Sequence, residues 1–435
     1  MSHPVETVLA LLAVAVGLGV VARRIRVPYP ILLVVGGLLL GLQPWLPPVQ
    51  LDPQLVFLLF LPPLLYAAAF QTDWGEFRSQ LRPIMLLAIG LVVFTTAVVA
   101  AAAHYLAGLP WPSAFIFGAI VSPPDAVAAV AVTSRLKVPQ TVITLLEGES
   151  LVNDASALVI LRVAVAAIGA GAFSAADAGV QFLVVSVGGV AIGLVGGWLV
   201  IHLHNWLERY DLADSKLTIT ITLLTPFAVY LPAEHLHVSG VLAAVTTGLW
   251  VGSRCELVFS EELYEEARAV WGWVEFLLNS LIFILIGFTL RPVLEGMDGS
   301  YSPTDLLVYA VGVSAAVVLS RLVWVYPGAY VPRWLDRKLL GIPTPYPPWQ
   351  AVTVVGWTGM RGVVSLAAAL ALPLIGPDGK PLPGRDLIQF LTFWVIFATL
   401  VGQGLTLPGV IRLLGVGGPA VASSDEDAHI PEDES

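Results

Sequence analysis

Charged residues are scarce in this chain: Asp, Glu, Lys and Arg together make up 12% of its 435 residues, roughly half the share that soluble proteins carry. Hydrophobic residues make up 57%, and the mean hydropathy is +0.85. This composition excludes a soluble domain and predicts a membrane protein with many spanning segments. No basic stretch precedes the first apolar segment, which predicts an uncleaved spanning helix and not a signal peptide.

Cysteines and catalytic motifs are also scarce. Cys255 is the only cysteine, which excludes an intrachain disulfide and a metal site made of cysteines. No HExxH, P-loop or GxGxxG sequence occurs in a suitable context. Ser150 follows Gly148 and Glu149, but no histidine lies in the core of a predicted spanning segment to activate its hydroxyl as a nucleophile. We therefore predict no enzyme activity, no cofactor and no nucleic-acid partner.

What the chain does have is a series of apolar runs, about thirteen of which can span a membrane. Their predicted cores are Val8–Val21, Ile31–Leu42, Leu55–Phe70, Ile84–Ala103, Ser113–Thr133, Thr141–Ile168, Val180–Leu203, Leu217–Leu231, Val238–Val251, Trp271–Leu290, Leu306–Tyr326, Ala351–Leu372 and Leu387–Leu407. We predict an all-α membrane domain over residues 1–414. The acidic residues 415–435 predict a short, disordered cytoplasmic tail.

Basic residues support this count because nearly all of them fall on one side when the loops are numbered alternately. The inner loops and the segment after the last helix hold Arg23, Arg24, Arg26, Arg78, Arg82, Arg135, Lys137, Arg209, Lys216, Arg254, Arg268, Arg333, Arg337, Lys338 and Arg412. The outer loops hold Arg291, Lys380 and Arg385. By the positive-inside rule, this asymmetry predicts an amino terminus outside the cell and a carboxyl terminus in the cytoplasm.

An odd number of helices allows two inverted six-helix repeats around a seventh helix, an arrangement found in many secondary transporters. The seventh segment carries Gly189, Gly193 and Gly197 at four-residue spacing. This stripe predicts close packing against a neighbouring helix.

The sixth segment carries a group of polar residues near its middle: Glu149, Ser150, Asn153 and Asp154. Asp154 is roughly 20 Å from the start of the segment, close to the centre of a hydrocarbon layer about 30 Å thick. Ionisable groups are costly at that depth, so they are usually functional. The i, i+4 spacing stacks Ser150 beneath Asp154 and Glu149 beneath Asn153. The converging oxygens predict a site for a small hard cation or a proton.

The fifth and twelfth segments each contain a helix break, the best sequence sign of a transporter's binding site. In the fifth, Pro123 and Pro124 remove backbone donors just before Asp125, a carboxylate that can cap the second half-helix, bind an ion, or do both. In the twelfth, the segment Gly356–Gly362 contains three glycines and Arg361. Arg361 can neutralise the negative ends of half-helix dipoles or pair with a carboxylate.

Arg321 lies about 22 Å into the eleventh segment, where a guanidinium that cannot lose its proton needs an acidic partner. Glu149 is the candidate, and this pair would leave Asp154 as the carboxylate that titrates. Arg162, two turns beyond Asp154, receives no assignment. Glu275 and Asn279, one turn apart in the tenth segment, are interpreted as structural hydrogen-bonding groups.

These motifs resemble those of the monovalent cation:proton antiporters, in their sodium/proton exchanger branch. The matching motifs follow the family's order through nearly the whole chain: Leu61-Pro62-Pro63, Gly148–Asp154, Val238-Ser239-Gly240, Phe283–Gly287, Gly359–Gly362 and Gly402-Gln403-Gly404. The resemblance implies a thirteen-helix fold, unwound and crossing helices 5 and 12, and a homodimer. It also implies that Asp154 carries the ion and the proton, with Asn153 beside it, Asp125 contributing at the crossing, and the Glu149–Arg321 pair.

We therefore expect an electroneutral antiporter of a prokaryotic inner membrane that exchanges one sodium or lithium ion for one proton. Asp154, Asp125 and Ser150 are the expected sodium ligands. Pro124-Asp125-Ala126 stands where the family often has Thr-Asp-Pro, so a potassium/proton antiporter of the same mechanism is an alternative. A gated cation channel is the alternative from another class, because polar residues and helix breaks also line pores.

Overall fold

Helices form nearly all of the structure, a computed structural model that describes residues 4–25, 27–43, 57–133, 136, 138–170, 175–212, 214–255, 259–297, 301–342, 344–377 and 379–416. Within these ranges, β-pairing is limited to one isolated bridge between Ile375 and Pro381. The predicted all-α fold class is confirmed. Arg26, Arg135, Lys137 and the predicted tail from residue 417 onward lie outside the described ranges.

The principal helices are labelled in chain order: α1 (Pro4–Ile25), α2 (Tyr29–Gly41), α3 (Leu61–Gln71), α4 (Leu81–Ala107), α5 (Trp111–Val121), α6 (Ala126–Thr133), α7 (Gln140–Ala170), α8 (Ala175–Arg209), α9 (Ser215–His235), α10 (Gly240–Gly252), α11 (Glu261–Phe288), α12 (Pro303–Leu335), α13 (Trp349–Trp357), α14 (Val363–Leu370) and α15 (Arg385–Leu414). Short helices at Trp74–Ser79 and Leu290–Gly296 connect some of them.

Eight segments in the described ranges are long and apolar enough to cross a membrane, with the broken pair α5–α6 counted as one, and three shorter apolar helices accompany them. The exact count of thirteen stays a prediction. Several helices are longer than their predicted cores, because polar residues continue the helix beyond the apolar stretch. The clearest case is α11, which begins at Glu261, so that Arg268 lies on a helix and not in a loop.

Both predicted helix breaks are present. The fifth segment is divided into α5 and α6 by residues 122–125, where Pro123 and Pro124 lack the N–H groups that would continue the helix. The twelfth segment is divided into α13 and α14 by residues 358–362, and the backbone is extended at Gly362. These breaks bring unpaired backbone groups into the membrane interior, where other protein groups must satisfy them.

The glycine stripe of the seventh segment, now α8, packs closely against α10. A Cβ atom at Gly189 would lie 2.5 Å from the carbonyl oxygen of Ser239, and one at Gly193 would lie 2.6 Å from that of Ala243. Gly197 meets the same helix one turn further along. Only glycine lets two backbones approach to this distance, so the predicted close packing is confirmed.

Two groups of helices face each other across an internal cavity. One wall consists of α7, the α5–α6 break and the start of α14, and the opposite wall consists of α2, α3 and α11. Of the predicted polar residues, Asp125, Ser150 and Asp154 line this cavity, and Glu149, Asn153 and Arg361 do not. This arrangement positions the site described next.

Candidate functional site

Asp125 joins the two broken helices at the point where they cross. Its backbone N–H donates to the carbonyl oxygen of Met360 at 2.7 Å, and its carboxylate accepts a hydrogen bond from the N–H of Val127 at 2.9 Å. The N–H of Val363, the first residue of α14, donates to the same carboxylate. Asp125 thus caps the amino-terminal ends of both α6 and α14, where a negative charge is favourable.

Gly362 lies directly against this carboxylate. A Cβ atom built at residue 362 would overlap the Oδ2 atom of Asp125. The two broken segments can therefore cross at this distance only because residue 362 has no side chain.

Arg361 satisfies backbone carbonyls that the breaks leave free. Its side chain is 1% exposed, its Nε donates to the carbonyl oxygen of Val121 at 2.7 Å, and its Nη1 donates to that of Gly359. Val121 is the last residue of α5, so the guanidinium lies at the negative end of that half-helix dipole. The sequence left two roles open for Arg361, to neutralise a half-helix dipole or to pair with a carboxylate. The structure contains the contact with the half-helix dipole.

Asn153 and Ser150 reach from α7 into the break of the fifth segment. The Asn153 Nδ2 donates to the carbonyl oxygen of Pro124 at 2.9 Å, and the Ser150 hydroxyl accepts from the N–H of Ala126 at 3.4 Å. Two backbone groups freed by the break thus find partners on α7. The amide and hydroxyl predicted to bind a ligand also support the unwound segment.

Asp154 differs from these neighbours because it has no such structural partner. Its side chain is 6% exposed and lines the cavity together with Asp125 and Ser150. Within the described residues no hydrogen-bond donor contacts its carboxylate. A buried carboxylate without donors is costly unless a proton or a cation neutralises it.

Glu149 and Arg321 form a bidentate ion pair on the side of α7 away from the cavity. The Nη1 and Nη2 atoms of Arg321 lie 2.5 and 2.8 Å from the two carboxylate oxygens of Glu149, and both side chains are 1% exposed. The Nε of Arg321 donates to the carbonyl oxygen of Val355 at 3.0 Å. This pair therefore links α7, α12 and α13, and its role as a scaffold stays a prediction.

The cavity has a volume of about 570 Å³ and follows one face of α7. Gln140, Glu147, Ser150 and Asp154 line it in turn, at spacings that keep them on one side of a helix. Gln140 is exposed at the mouth, and Asp154 lies roughly 20 Å deeper along the helix axis. The cavity thus connects the candidate site with one end of the helix bundle.

Among the described residues, none that follows Asp154 on α7 lines the cavity. Leu158, one turn further along α7, packs against a buried apolar cluster that includes Tyr230 and Leu242. Beyond it, the Nη2 of Arg162 lies 2.8 Å from the Oε2 of Glu234, whose Oε1 accepts from the N–H of Gly240 at 3.1 Å. Arg162, left unassigned by the sequence, therefore connects α7 with α9 and α10 at the end of α7 away from the mouth.

Sequence reasoning missed Tyr29 and Gln71 on the opposite wall, and it did not place Glu275 or Asn279 in a cavity. Tyr29, Gln71 and Glu275 line the cavity there, and Gln71 donates to the Glu275 carboxylate at 3.2 Å. That bond agrees with the structural interpretation of Glu275, whereas Asn279 lines the cavity without a hydrogen bond to any described residue. Glu147 carried a sequence signal, because it lies two turns before Asp154 on the same face.

Comparisons with known proteins agree with this geometry. The family model described as "sodium/hydrogen exchanger, transmembrane" matches residues 8–413. An uncharacterised Na⁺/H⁺ exchanger of Mycobacterium tuberculosis is 37% identical over 93% of this chain and 73% of its own length. The sodium, potassium, lithium and rubidium/H⁺ antiporter of Bacillus subtilis is 35% identical over 92% of this chain and 60% of its own length.

A solved structure shares the fold. The sodium proton antiporter MjNhaP1 of Methanocaldococcus jannaschii at pH 8 superposes with a TM-score of 0.67 at 20% identity, covering 94% of this chain and 98% of that chain. The family match covers nearly the whole chain, including both broken helices and Asp154. The chain therefore belongs to the sodium/hydrogen exchanger family, membrane antiporters of monovalent cations and protons.

Proposed function

We propose that this chain exchanges one sodium or lithium ion for one proton at Asp154, without net charge movement. The observation that best supports this proposal is the position of the Asp154 carboxylate, which is buried at the closed end of the cavity and has no donor among the described residues. Such a group favours occupation by either a cation or a proton. No resident cofactor takes part in this scheme, because the cation is cargo.

Competition for Asp154 couples the two flows. A cation exchanges part of its hydration shell for oxygens of Asp154, Asp125 and Ser150, whereas a proton neutralises the Asp154 carboxylate directly. Moving the charged carboxylate through a medium of low dielectric without a bound cation or proton costs several kcal/mol. Only the cation-bound and the protonated forms of Asp154 therefore cross readily. One carboxylate accepts one cation or one proton at a time, and the exchange is therefore one for one.

The neighbours of Asp154 support a single carrier. Asn153 is an amide, which carries no proton across, and its Nδ2 is bonded to the carbonyl of Pro124. Asp125 is fixed at the crossing by the backbone N–H groups of Val127 and Val363. We assign Asp125 to cation coordination and Asp154 to transport.

Alternating access follows from a cavity that is closed at one end. We propose that the mouth beside Gln140 and Arg268 opens to the cytoplasm, because the basic residues of the sequence concentrate at that end. The amino terminus then lies outside a prokaryotic inner membrane. Residues 1–414 form the exchanger domain, followed by the acidic tail 415–435, and two copies form a homodimer.

Potassium/proton antiport by the same mechanism is the second candidate. It is supported by the similarity to the B. subtilis antiporter, whose name includes potassium and rubidium beside sodium and lithium. A gated cation channel fits less well, because no described residue of α7 beyond Asp154 lines the cavity and Leu158 packs against a buried apolar cluster. A channel would also conduct cations without moving protons.

An imposed voltage tests the one-for-one scheme. We expect the cation gradient that balances a fixed pH gradient to be the same with and without a potassium–valinomycin potential, because no net charge crosses. The measurement uses proteoliposomes with a pH-sensitive dye, and lithium and sodium are compared in it. Potassium is tested separately in vesicles without valinomycin, because valinomycin itself carries potassium. A balance point that shifts with voltage would refute the scheme, and faster proton movement with potassium would favour the second candidate.

Gly362→Ala tests the crossing. The added Cβ overlaps the Asp125 carboxylate and displaces it from its two backbone donors. Because a misplacement of about 1 Å can cost roughly 100-fold in rate, we expect exchange to fall by about that factor while the protein still inserts in the membrane. Gly328→Ala on α12 is the matched control, since its Cβ would meet only atoms at 3.6 Å or more. Equal activity in the two variants would contradict the proposed role of the crossing.

A further inference from the structure

The cavity wall opposite Asp154 carries polar groups that the proposed exchange does not use. Glu275 lies on α11 and accepts a hydrogen bond from the Nε2 of Gln71 on α3 at 3.2 Å. Asn279 follows one turn later, is only 6% exposed and also lines the cavity. Among the described residues it has no hydrogen-bond partner. Its oxygen and nitrogen are not among the fully enclosed polar atoms, so both face the cavity, where water or a ligand can bind them.

The charge of the lining favours a cation in this space. Four carboxylates line the cavity (Asp125, Glu147, Asp154 and Glu275), against one guanidinium, that of Arg268 at the mouth. The Arg268 side chain is 56% exposed, and a carboxylate oxygen of Glu265 lies 3.9 Å away. A cleft lined by charges of one sign raises the local concentration of the opposite ion.

Between the mouth and this wall the cavity has open space at Gly272. Gly272 lines the cavity one turn before Glu275, and a Cβ atom there would have no heavy atom within 4 Å. A cation can therefore pass from the mouth to Glu275 and Asn279 before it reaches Asp154. Oxygen ligands of a carboxylate and two carboxamides, with a single negative charge, suit a partly hydrated monovalent cation.

We propose that Glu275 and Asn279, with the carboxamide of Gln71, form a second binding site for a monovalent cation on the wall opposite Asp154. This proposal rests on the exchange proposed above and extends it: the cation occupies this site between the mouth and Asp154. Because α3 and α11 carry none of the groups that bind the proton, the second site sets how readily cations reach Asp154. The one-for-one coupling at Asp154 is unaffected by it.

Binding without transport provides the first test. Thallium(I) is titrated by calorimetry into purified protein in detergent, on the background of Asp154→Asn, which removes the carboxylate of the main site. We expect saturable binding in Asp154→Asn, loss of it when Glu275→Gln is added, and recovery with Glu275→Asp. Glu266→Gln, which removes an exposed charge from the same helix, is the matched control and should leave binding unchanged.

Two results of the titration would overturn the second site: no saturable thallium binding in Asp154→Asn, or equal binding with and without Glu275→Gln. The second case would assign the bound ion to Asp125. Because this experiment measures no exchange, its failure is distinct from failure of the proposed function. Size-exclusion profiles identify any variant that does not fold, and Asn279→Ala then replaces Glu275→Gln.

Transport kinetics provide the second test. We expect Glu275→Gln to raise the KM for Na⁺ about tenfold, through the lower local cation concentration, and to change the limiting rate much less. Glu275→Asp keeps the charge and should restore KM to within about twofold of the unmodified protein, by the same argument. A purely structural role of the Gln71–Glu275 bond would lower the limiting rate and leave KM unchanged, and that outcome would overturn the proposal.

Discussion

Replacing Asp154 by asparagine is expected to abolish cation-driven proton movement while the protein still folds and inserts. Asparagine preserves the shape of the side chain but neither binds a proton at neutral pH nor compensates a cation that has lost water. The assay is the change of internal pH in proteoliposomes after addition of sodium, lithium or potassium. Because the charge at Asp154 is buried without a donor, we also expect the variant to unfold at a higher temperature than the unmodified protein in alkaline buffer.

Asp211→Asn is the control for this substitution. Asp211 is exposed between α8 and α9, and its φ of 55° is a conformation that asparagine adopts readily. This variant loses the same charge far from the cavity and should exchange normally. Sodium-driven proton movement in Asp154→Asn that exceeds that of empty vesicles would refute the assignment and favour Asp125 as the carrier.

The parts of the site that depend on local chemistry could be predicted from the sequence. Consecutive prolines and closely spaced glycines interrupt a helix wherever it packs, so both breaks were predictable. An arginine in the membrane interior needs an acid, so Glu149 could be named as a partner for Arg321 before the structure was known. The depth of Asp154 followed from counting residues along one helix.

Contacts that depend on the crossing could not be predicted in this way. The bond from Asn153 to the carbonyl of Pro124 and the one from the N–H of Val363 to Asp125 require the relative positions of α6, α7 and α14, whereas the local cap of α6 by Asp125 could be predicted. No spacing along a single helix contains that information, which is why the sequence indicated a ligand group and not a supporting one.

The polar residues of the opposite wall could not be brought together from the sequence, for a related reason. Gln71 and Glu275 are separated by 204 positions in the chain. Gln71 alone is an ordinary polar residue, and Glu275 could be interpreted only as a structural hydrogen-bonding group. Glu234 had no special signal either, because a carboxylate near a helix end is common. Its pairing with Arg162 depends on how α7 packs against α9 and α10.

Truncating Arg321 to alanine is the prediction with the second largest effect. It leaves the Glu149 carboxylate buried without its bidentate partner, and breaking a buried pair in this way costs about 3–5 kcal/mol. We expect a large drop in the thermal unfolding midpoint of the protein in detergent. Glu149→Gln should also destabilise, because it leaves the Arg321 guanidinium buried beside the Arg361 guanidinium with no carboxylate between them.

The double variant Arg321→Ala, Glu149→Gln decides whether these two losses have one cause. If the pair is the scaffold, the double variant loses less stability than the sum of the single variants, by about 1–3 kcal/mol. The half-exposed pair Arg291–Glu295, at 2.8 Å on the short helix Leu290–Gly296, is the control, and its coupling should be below about 1 kcal/mol. Losses at Glu149 and Arg321 that simply add would mean that each side chain stabilises the fold separately, Arg321 through its bond to the carbonyl of Val355. Coupling of the predicted size would assign Glu149 to the scaffold and would leave Asp154, which has no such partner, as the group that exchanges ions.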